Sequence, residues 1–231
     1  QSAVNPEEEA TKYITENVKD TADALQGARD IMAEWIAENE QARNTIRKLF
    51  TEEAVVSSRV LTSKKDEEDA QKYRDYFEYK EQLAQSPSHR ILAIRRGEKE
   101  GFLIMDINIE KETAVEELKR KFITVSNAAS QQVGLAIEDS FARLLKPSIE
   151  TEFRMRSKTK ADEEAIRVFA ENLRQLLLAS PLGRKRIMAL DPGFRSGCKV
   201  VCLDEHGVFL KYNTIFPHAP QNDWNGAVQT I

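Results

Sequence analysis

From Arg186 onward the apolar residues stop recurring every three or four positions and begin to alternate. This change of period constrains the fold more than any other feature. A 3.6-residue pattern belongs to an amphipathic helix, and a period of two belongs to a half-buried strand. Arg186–Asp191, Gly197–Leu203 and Val208–Phe216 read as three short strands. The joins Pro192–Ser196 and Asp204–Gly207 suit tight turns, so the three strands are expected to form an antiparallel meander. Pro181-Leu-Gly183 ends the helical pattern and places a domain boundary near Pro181–Lys185.

Before that boundary most of the chain reads as helix. In Asn5-Pro-Glu-Glu-Glu9, Asn5 is a cap, Pro6 gives up an N–H the helix does not need, and the glutamates favour the positive end of the dipole. A helix from about Thr21 carries Leu25, Ala28, Met32, Trp35 and Ile36 on one face, and Ala42, Ile46, Leu49 and Phe50 continue the pattern. Asp66 to about Leu83 reads as a further helix through Ala70, Tyr73 and Phe77. The turn residues 96–101 then separate two apolar stretches, Arg90–Arg95 and Gly101–Ile109, which read as a two-stranded hairpin. Helices resume from about Lys111 to Ser180. One apolar stripe contains Val133, Ile137, Phe141, Leu144 and Leu145. Another contains Ile166, Phe169, Leu173, Leu176 and Leu177 and follows a capping-box pattern, Thr159-x-x-Asp162. The expected fold is mainly α with small β parts. Residues 1–183 form a helical region with a hairpin near 90–109, and residues 184–231 form a β-rich unit.

Composition narrows the function classes. With 231 residues, 41% hydrophobic and 31% charged, the chain can bury a sizeable core. A net charge of −4 excludes a chain that is basic throughout, so nucleic-acid contact requires a local patch. No apolar run approaches a membrane span and no signal-peptide pattern opens the chain. Cys198 and Cys202 lie on one expected strand about 13 Å apart, too far for a disulfide or a shared metal, which fits a reducing, cytoplasmic setting. The chain starts at Gln1 and stops at Ile231 within a helix-like pattern, from which an excised piece of a longer protein is expected.

Among motifs, Asp191 comes first. A carboxylate on a central strand beside a hairpin is how RNase H-like nucleases present their first metal-binding group, but two-metal chemistry needs several converging carboxylates. Asp204 and Glu205 are expected about 20 Å away along the strand, and Asp223 approaches only from a loop. Turn formation is the first reading of Asp191 and catalysis the second. Basic residues cluster twice, as Arg154, Arg156, Lys158 and Lys160, and as Arg184, Lys185 and Arg186 with Arg195 and Lys199. Both are candidate nucleic-acid contacts, because phosphate binding needs cations on one surface. A solvated helix face is the plain alternative, and Asp162, Glu163 and Glu164 partly neutralise the first cluster. His89, His206 and His218 are scattered, no Cys/His spacing suggests zinc, and no glycine pattern suggests a phosphate loop or a dinucleotide cofactor.

Several blocks in one order carry a family resemblance. Gly27-Ala-Arg-Asp-Ile-Met-Ala-Glu34 with Glu38-Asn39, Lys72-x-Arg-Asp-Tyr-Phe-Glu-Tyr79, Pro87-Ser-His-Arg90 and Ala165-Ile-Arg-Val-Phe-Ala-Glu-Asn-Leu173 resemble the Tex family of bacterial transcription accessory proteins. So does Ala189-Leu-Asp-Pro-Gly-Phe-Arg-Ser-Gly-Cys-Lys199 with Ile215-Phe-Pro-His218. The resemblance implies a central helical region followed by the start of a YqgF, RNase H-like domain. It also implies further modules outside this segment, including an S1 domain that is the main nucleic-acid binder. YqgF domains of this type are regarded as degenerate nucleases, and Asp191 matches the first acidic position of RNase H-like enzymes. The expectation is therefore a non-enzymatic scaffold within an RNA-binding transcription accessory protein, with no cofactor and no metal. Its expected partners are nucleic acid, RNA first, mainly through modules outside this segment, and RNA polymerase; a membrane is not among them. The runner-up is a metal-dependent nuclease or resolvase with Asp191 as its first metal-binding carboxylate.

Overall fold

A computed structural model describes residues 5–193 and 196–231. The chain divides into two compact units, Gln1–Glu171 and Asn172–Ile231. The division falls inside the last long helix, earlier than the change of sequence period near 181–185.

In the first unit, α1 (Pro6–Ala10) opens with Asn5 Oδ1 accepting the Glu7 N–H. Asp20 caps α2 (Thr21–Glu38) and Asn39 caps α3 (Glu40–Glu53) in the same way, each satisfying an N–H that the first turn leaves free. There follow β1 (Val55–Val60), a 3-10 stretch Glu68–Tyr76, β2 (Glu78–Gln82), α4 (Ser88–Lys99), β3 (Leu103–Asn108), α5 (Lys111–Phe122) and α6 (Ala128–Asp139). A π-helical turn, Ser140–Leu145, joins α6 to α7 (Lys146–Leu177). β1 lies between β2 and β3 in an antiparallel sheet. One core takes Ile46 and Phe50 from α3, Val56 from β1, Ile94 from α4 and Leu103, Met105 and Ile107 from β3. Leu118, Ile137, Phe141, Leu145 and Ile149 complete it from the later helices. The stripe expected from Val133 to Leu145 packs on this core.

The structure corrects several expectations. Residues 90–95 are helix, not the first strand of a hairpin. Ile91, Ile94 and Gly97 recur at helical spacing and are buried, and a short apolar run does not by itself distinguish helix from strand. The glycine that looked like a hairpin turn is the end of α4. Gly101 has φ 77°, its N–H donates to Glu98 O, and the Phe102 N–H donates to Gly97 O, the pattern of a Schellman stop. The strand partner of 103–108 is β1, missed because Val55-Val-Ser-Ser-Arg-Val60 alternates only over Val56 and Ser58. The helix expected over 66–83 is a 3-10 stretch and an edge strand, with Ala70 and Tyr73 buried from the former. Thr159-x-x-Asp162 caps nothing: it lies inside the continuous α7, where the Asp162 carboxylate takes the Lys158 ammonium one turn away. Trp35, expected on the apolar face of α2, is 68% exposed; Ala33, Ile36 and Ala37 enter the core instead.

The second unit is the expected meander. β4 (Ile187–Gly193), β5 (Gly197–Leu203) and β6 (Phe209–Ile215) pair antiparallel in that order, and α8 (Trp224–Thr230) follows. Val200, Ile215, Ala227 and part of Cys198 form its small core. Asp-Pro-Gly is not the turn. β4 runs through Pro192 to Gly193, which pairs with Gly197. A proline is tolerated there because β4 is an edge strand in this sheet.

Candidate nucleic-acid interface

The basic residues of α7 do not form one patch. At 100° per residue, Arg154 and Lys158 share one side of the helix while Arg156 and Lys160 fall nearly opposite. Arg154 is consumed inside the first unit. Its guanidinium hydrogen bonds the Met105 carbonyl, pairs with Glu98 and lies 3.9 Å from Glu150. Glu150 in turn accepts the Ile107 N–H at 3.3 Å. Met105 and Ile107 belong to β3, the edge of its sheet, so α7 satisfies with side chains the backbone groups that no fourth strand pairs. Lys158 is paired with Asp162, and the Arg156 guanidinium sits 5.0 Å over the Phe153 ring. Of these four cations, Arg156 and Lys160 are exposed and have no ion pair among the described residues.

A second charged knot binds the end of α4 to the 3-10 stretch. Glu100 takes Lys72 at 2.6 Å and Arg96 at 2.9 Å. These hydrogen bonds, led by that from Lys72, hold the Glu100 carboxyl down at about 2. Burial, with the adjacent Glu100 charge, pushes the Tyr73 phenol up to about 12.

In the second unit the geometry is more open. Arg184, Lys185 and Arg186 are exposed on the segment leading into β4, and no acidic partner lies in ion-pair range among the described residues. Asp191, Lys199 and Thr214 stand in register across the three strands, which puts them on one face of the pleated sheet. The next register on that face holds Ala189, Val201 and Tyr212. Tyr212 is 54% exposed, and its hydroxyl lies 2.9 Å from Thr214 Oγ1. The opposite face carries Cys198, Val200 and Ile215 under α8. The two free thiols, Cys198 and Cys202, lie on that opposite face. Arg195 lies outside the described residues.

The face of Asp191 therefore presents a cation, an aromatic ring and a hydroxyl, a combination suited to phosphate contact and base stacking. Tyr212 and Thr214 escaped the sequence reading. The signal that finds them is strand alternation from Lys199 through the pairing register, which requires knowing which strands are neighbours.

Two acidic side chains of the second unit have local backbone partners. Asp204 Oδ1 accepts the N–H groups of His206 and Val208, closing the β5–β6 turn. Asp223 Oδ1 caps α8 by accepting from Gly226. Among the described residues, no three His, Cys, Asp or Glu side chains gather as metal ligands. Asp191 is the cross-strand neighbour of Lys199. A cavity of about 440 Å³ lies at the same end of the meander, lined by Pro192, Cys198, Phe216 and His218 among others.

Family comparison separates the chain along similar lines. Residues 1–169 match the Tex central region-like family and residues 185–231 match the Tex protein YqgF-like domain. The chain belongs to the Tex family. Its Tex relatives include the Bordetella pertussis "Protein tex", 34% identical over 99% of this chain and 31% of that protein. Another is the Neisseria gonorrhoeae "Transcriptional accessory protein Tex", 34% identical over 92% and 29% respectively. The human "S1 RNA-binding domain-containing protein 1" is 29% identical over 90% of this chain and 22% of its own length. The chain thus spans about a third or less of these Tex relatives. Among the described residues, no helix is long and apolar enough to cross a membrane.

Proposed function

We propose that this segment of a Tex protein is a non-enzymatic scaffold whose second unit contributes a single-stranded RNA contact. The observation that carries the reading is the exposed run Arg184, Lys185 and Arg186, with Lys199 and Tyr212 on one face of the following meander. Family membership supports it, because relatives carry the names transcriptional accessory protein and S1 RNA-binding domain-containing protein. Arg156 and Lys160 on α7 remain secondary candidates, whereas Arg154 and Lys158 are internal partners. RNA polymerase is the proposed protein partner of the whole molecule, and the cytoplasm its proposed place of action.

The test is a titration of labelled single-stranded RNA with the full-length protein at several salt concentrations. Neutralised phosphates give a slope of log affinity against log salt of roughly −0.7 each on single strands. Replacing Arg184, Lys185 and Arg186 by alanine is expected to flatten the slope by about 2. An unchanged slope refutes the contact.

The nuclease reading keeps one observation in its favour, the exposed position of Asp191 on β4. Cleavage of branched or single-stranded substrates by the full-length protein with Mg²⁺ or Mn²⁺, abolished by Asp191→Asn, would replace the scaffold reading. The turn-closing role of Asp204 and the capping role of Asp223 support the opposite outcome.

A further inference from the structure

We propose that the outward face of α2, together with α1, is a docking surface for a basic amphipathic helix of a protein partner. Ala24, Ala28, Ile31 and Trp35 follow one another at steps of four, three and four residues, the spacing of a single helix stripe. The buried face of this helix is Ala33, Ile36 and Ala37. The stripe instead lines and prolongs a groove of about 550 Å³ closed on its other side by Pro6 and Tyr13. Ile31, Trp35 and Tyr13 are all exposed large side chains.

The shape of the groove fits one recognition mode. The stripe runs about 16 Å at the rise of a helix, matching about three turns of a partner laid alongside. Ala24, Gly27 and Ala28 leave room for close backbone approach at one end, while Trp35 supplies an aromatic anchor at the other. Apolar anchors at such intervals are how a groove reads an amphipathic helix.

Charge selects the occupant. Nine acidic and only three basic residues lie between Asn5 and Glu38. Lys12 is paired with Glu9 at 2.7 Å. Arg29 is held by Gln132 and Gln26 at 2.7 Å each. Lys19 is the remaining cation. Glu34 and Glu38 flank the Trp35 end of the stripe, and Glu7, Glu8 and Asp23 flank the other. An apolar groove with an acidic rim repels RNA and anionic bilayers and attracts lysine or arginine beside an apolar face. This acidic surface is distinct in charge from the basic run at Arg184–Arg186.

The experiment uses the full-length protein and a fluorescein-labelled leucine–lysine peptide of amphipathic helical design, about four turns long. Its controls are the leucine–glutamate counterpart and single-stranded RNA as competitor. The variants Trp35→Ala and Ala28→Glu change exposed positions outside the core, and thermal unfolding checks that both remain folded. The lysine peptide is expected to bind, the glutamate peptide not to bind, RNA not to compete, and each variant to weaken binding by about tenfold or more. Equal affinity in wild type and both variants overturns the proposal, as does displacement by RNA. A dimer in light scattering that Ala28→Glu dissociates overturns it in favour of a second copy. Fluorotryptophan NMR, with Trp35 assigned through Trp35→Ala, provides a further check. A Trp35 resonance shielded from solvent in the free full-length protein means that its own chain fills the groove, which also overturns the proposal.

Discussion

Arg154 offers the sharpest test of how this chain uses its cations. Its side chain is only 24% exposed, and it faces Glu98 of α4, Glu150 of its own helix and the Met105 carbonyl of β3. Arg154→Ala removes a donor to an edge-strand carbonyl and leaves two partly buried carboxylates without their shared counterion. Losing a partner of a fully buried ion pair costs about 3–5 kcal/mol, and a charged hydrogen bond about 1.5–3 kcal/mol. Glu98 and Glu150 keep 29% and 21% side-chain exposure, so water partly replaces the guanidinium and the lower range applies. The expected loss is about 2–3 kcal/mol. For a unit of this size that lowers the melting temperature by roughly 4–12 °C. Calorimetry on the full-length protein gives the global effect, and faster amide exchange in β3 gives the local one. In the RNA titration the affinity and its salt slope are expected to be unchanged. Arg156→Ala combined with Lys160→Ala is the matched control and should change stability by no more than about 1 kcal/mol, the worth of the Arg156 contact with the Phe153 ring. If Arg154→Ala proves as stable as wild type while weakening RNA binding, the internal assignment is refuted.

Three further perturbations probe the first unit. Glu100, held at about 2 by Lys72, Arg96 and their neighbours, is depressed from the ordinary 4.5, so its contribution is present above about 4.5 and lost as pH falls through about 2. Glu100→Gln should therefore lower the melting temperature near neutral pH, and the difference from wild type should shrink between pH 5 and pH 2; a constant difference contradicts the ion-pair account. A Cβ added at Gly97 would lie 2.6 Å from Leu103 Cδ1 and 3.2 Å from Tyr73 Cδ1. Gly97→Val is expected to destabilise by about 1–3 kcal/mol in urea unfolding, as overpacking does. Ser140 is fully buried at the start of the π-turn and donates to the Ala33 carbonyl at 2.7 Å. Ser140→Ala should cost about 0.5–1.5 kcal/mol, the net worth of one hydrogen bond, because the Ala33 carbonyl lies inside α2 and keeps its helical partner.

Much of this architecture is legible in the residues alone. Asn5, the α3 stripe of Ala42, Ile46, Leu49 and Phe50, and the three-strand meander all follow from local chemistry repeated over several residues. Two of the errors fall where the local signal is short. Arg90–Arg95 contains too few apolar residues to separate a helix from a strand, and Val55–Val60 alternates over too few positions to announce itself. Thr159 and Asp162 have the spacing of a cap, yet only the unbroken helix around them shows that Asp162 serves Lys158.

The candidate interface divides in the same way. Sequence alone locates each cation of the two basic clusters, because position and residue type are all that a charge cluster requires. It also determines the helix-to-strand change and, through its ordered blocks, the family. Which cations are free was decided by tertiary structure. Ion pairing depends on what other elements bring within about 4 Å, and Arg154 meets Glu98 and Met105 only because α7 packs along the open edge of β3. The same holds for Asp191, whose neighbours Lys199 and Thr214 come from other strands through pairing register. It holds equally for Trp35, whose exposure follows from which side of α2 the rest of the first unit covers.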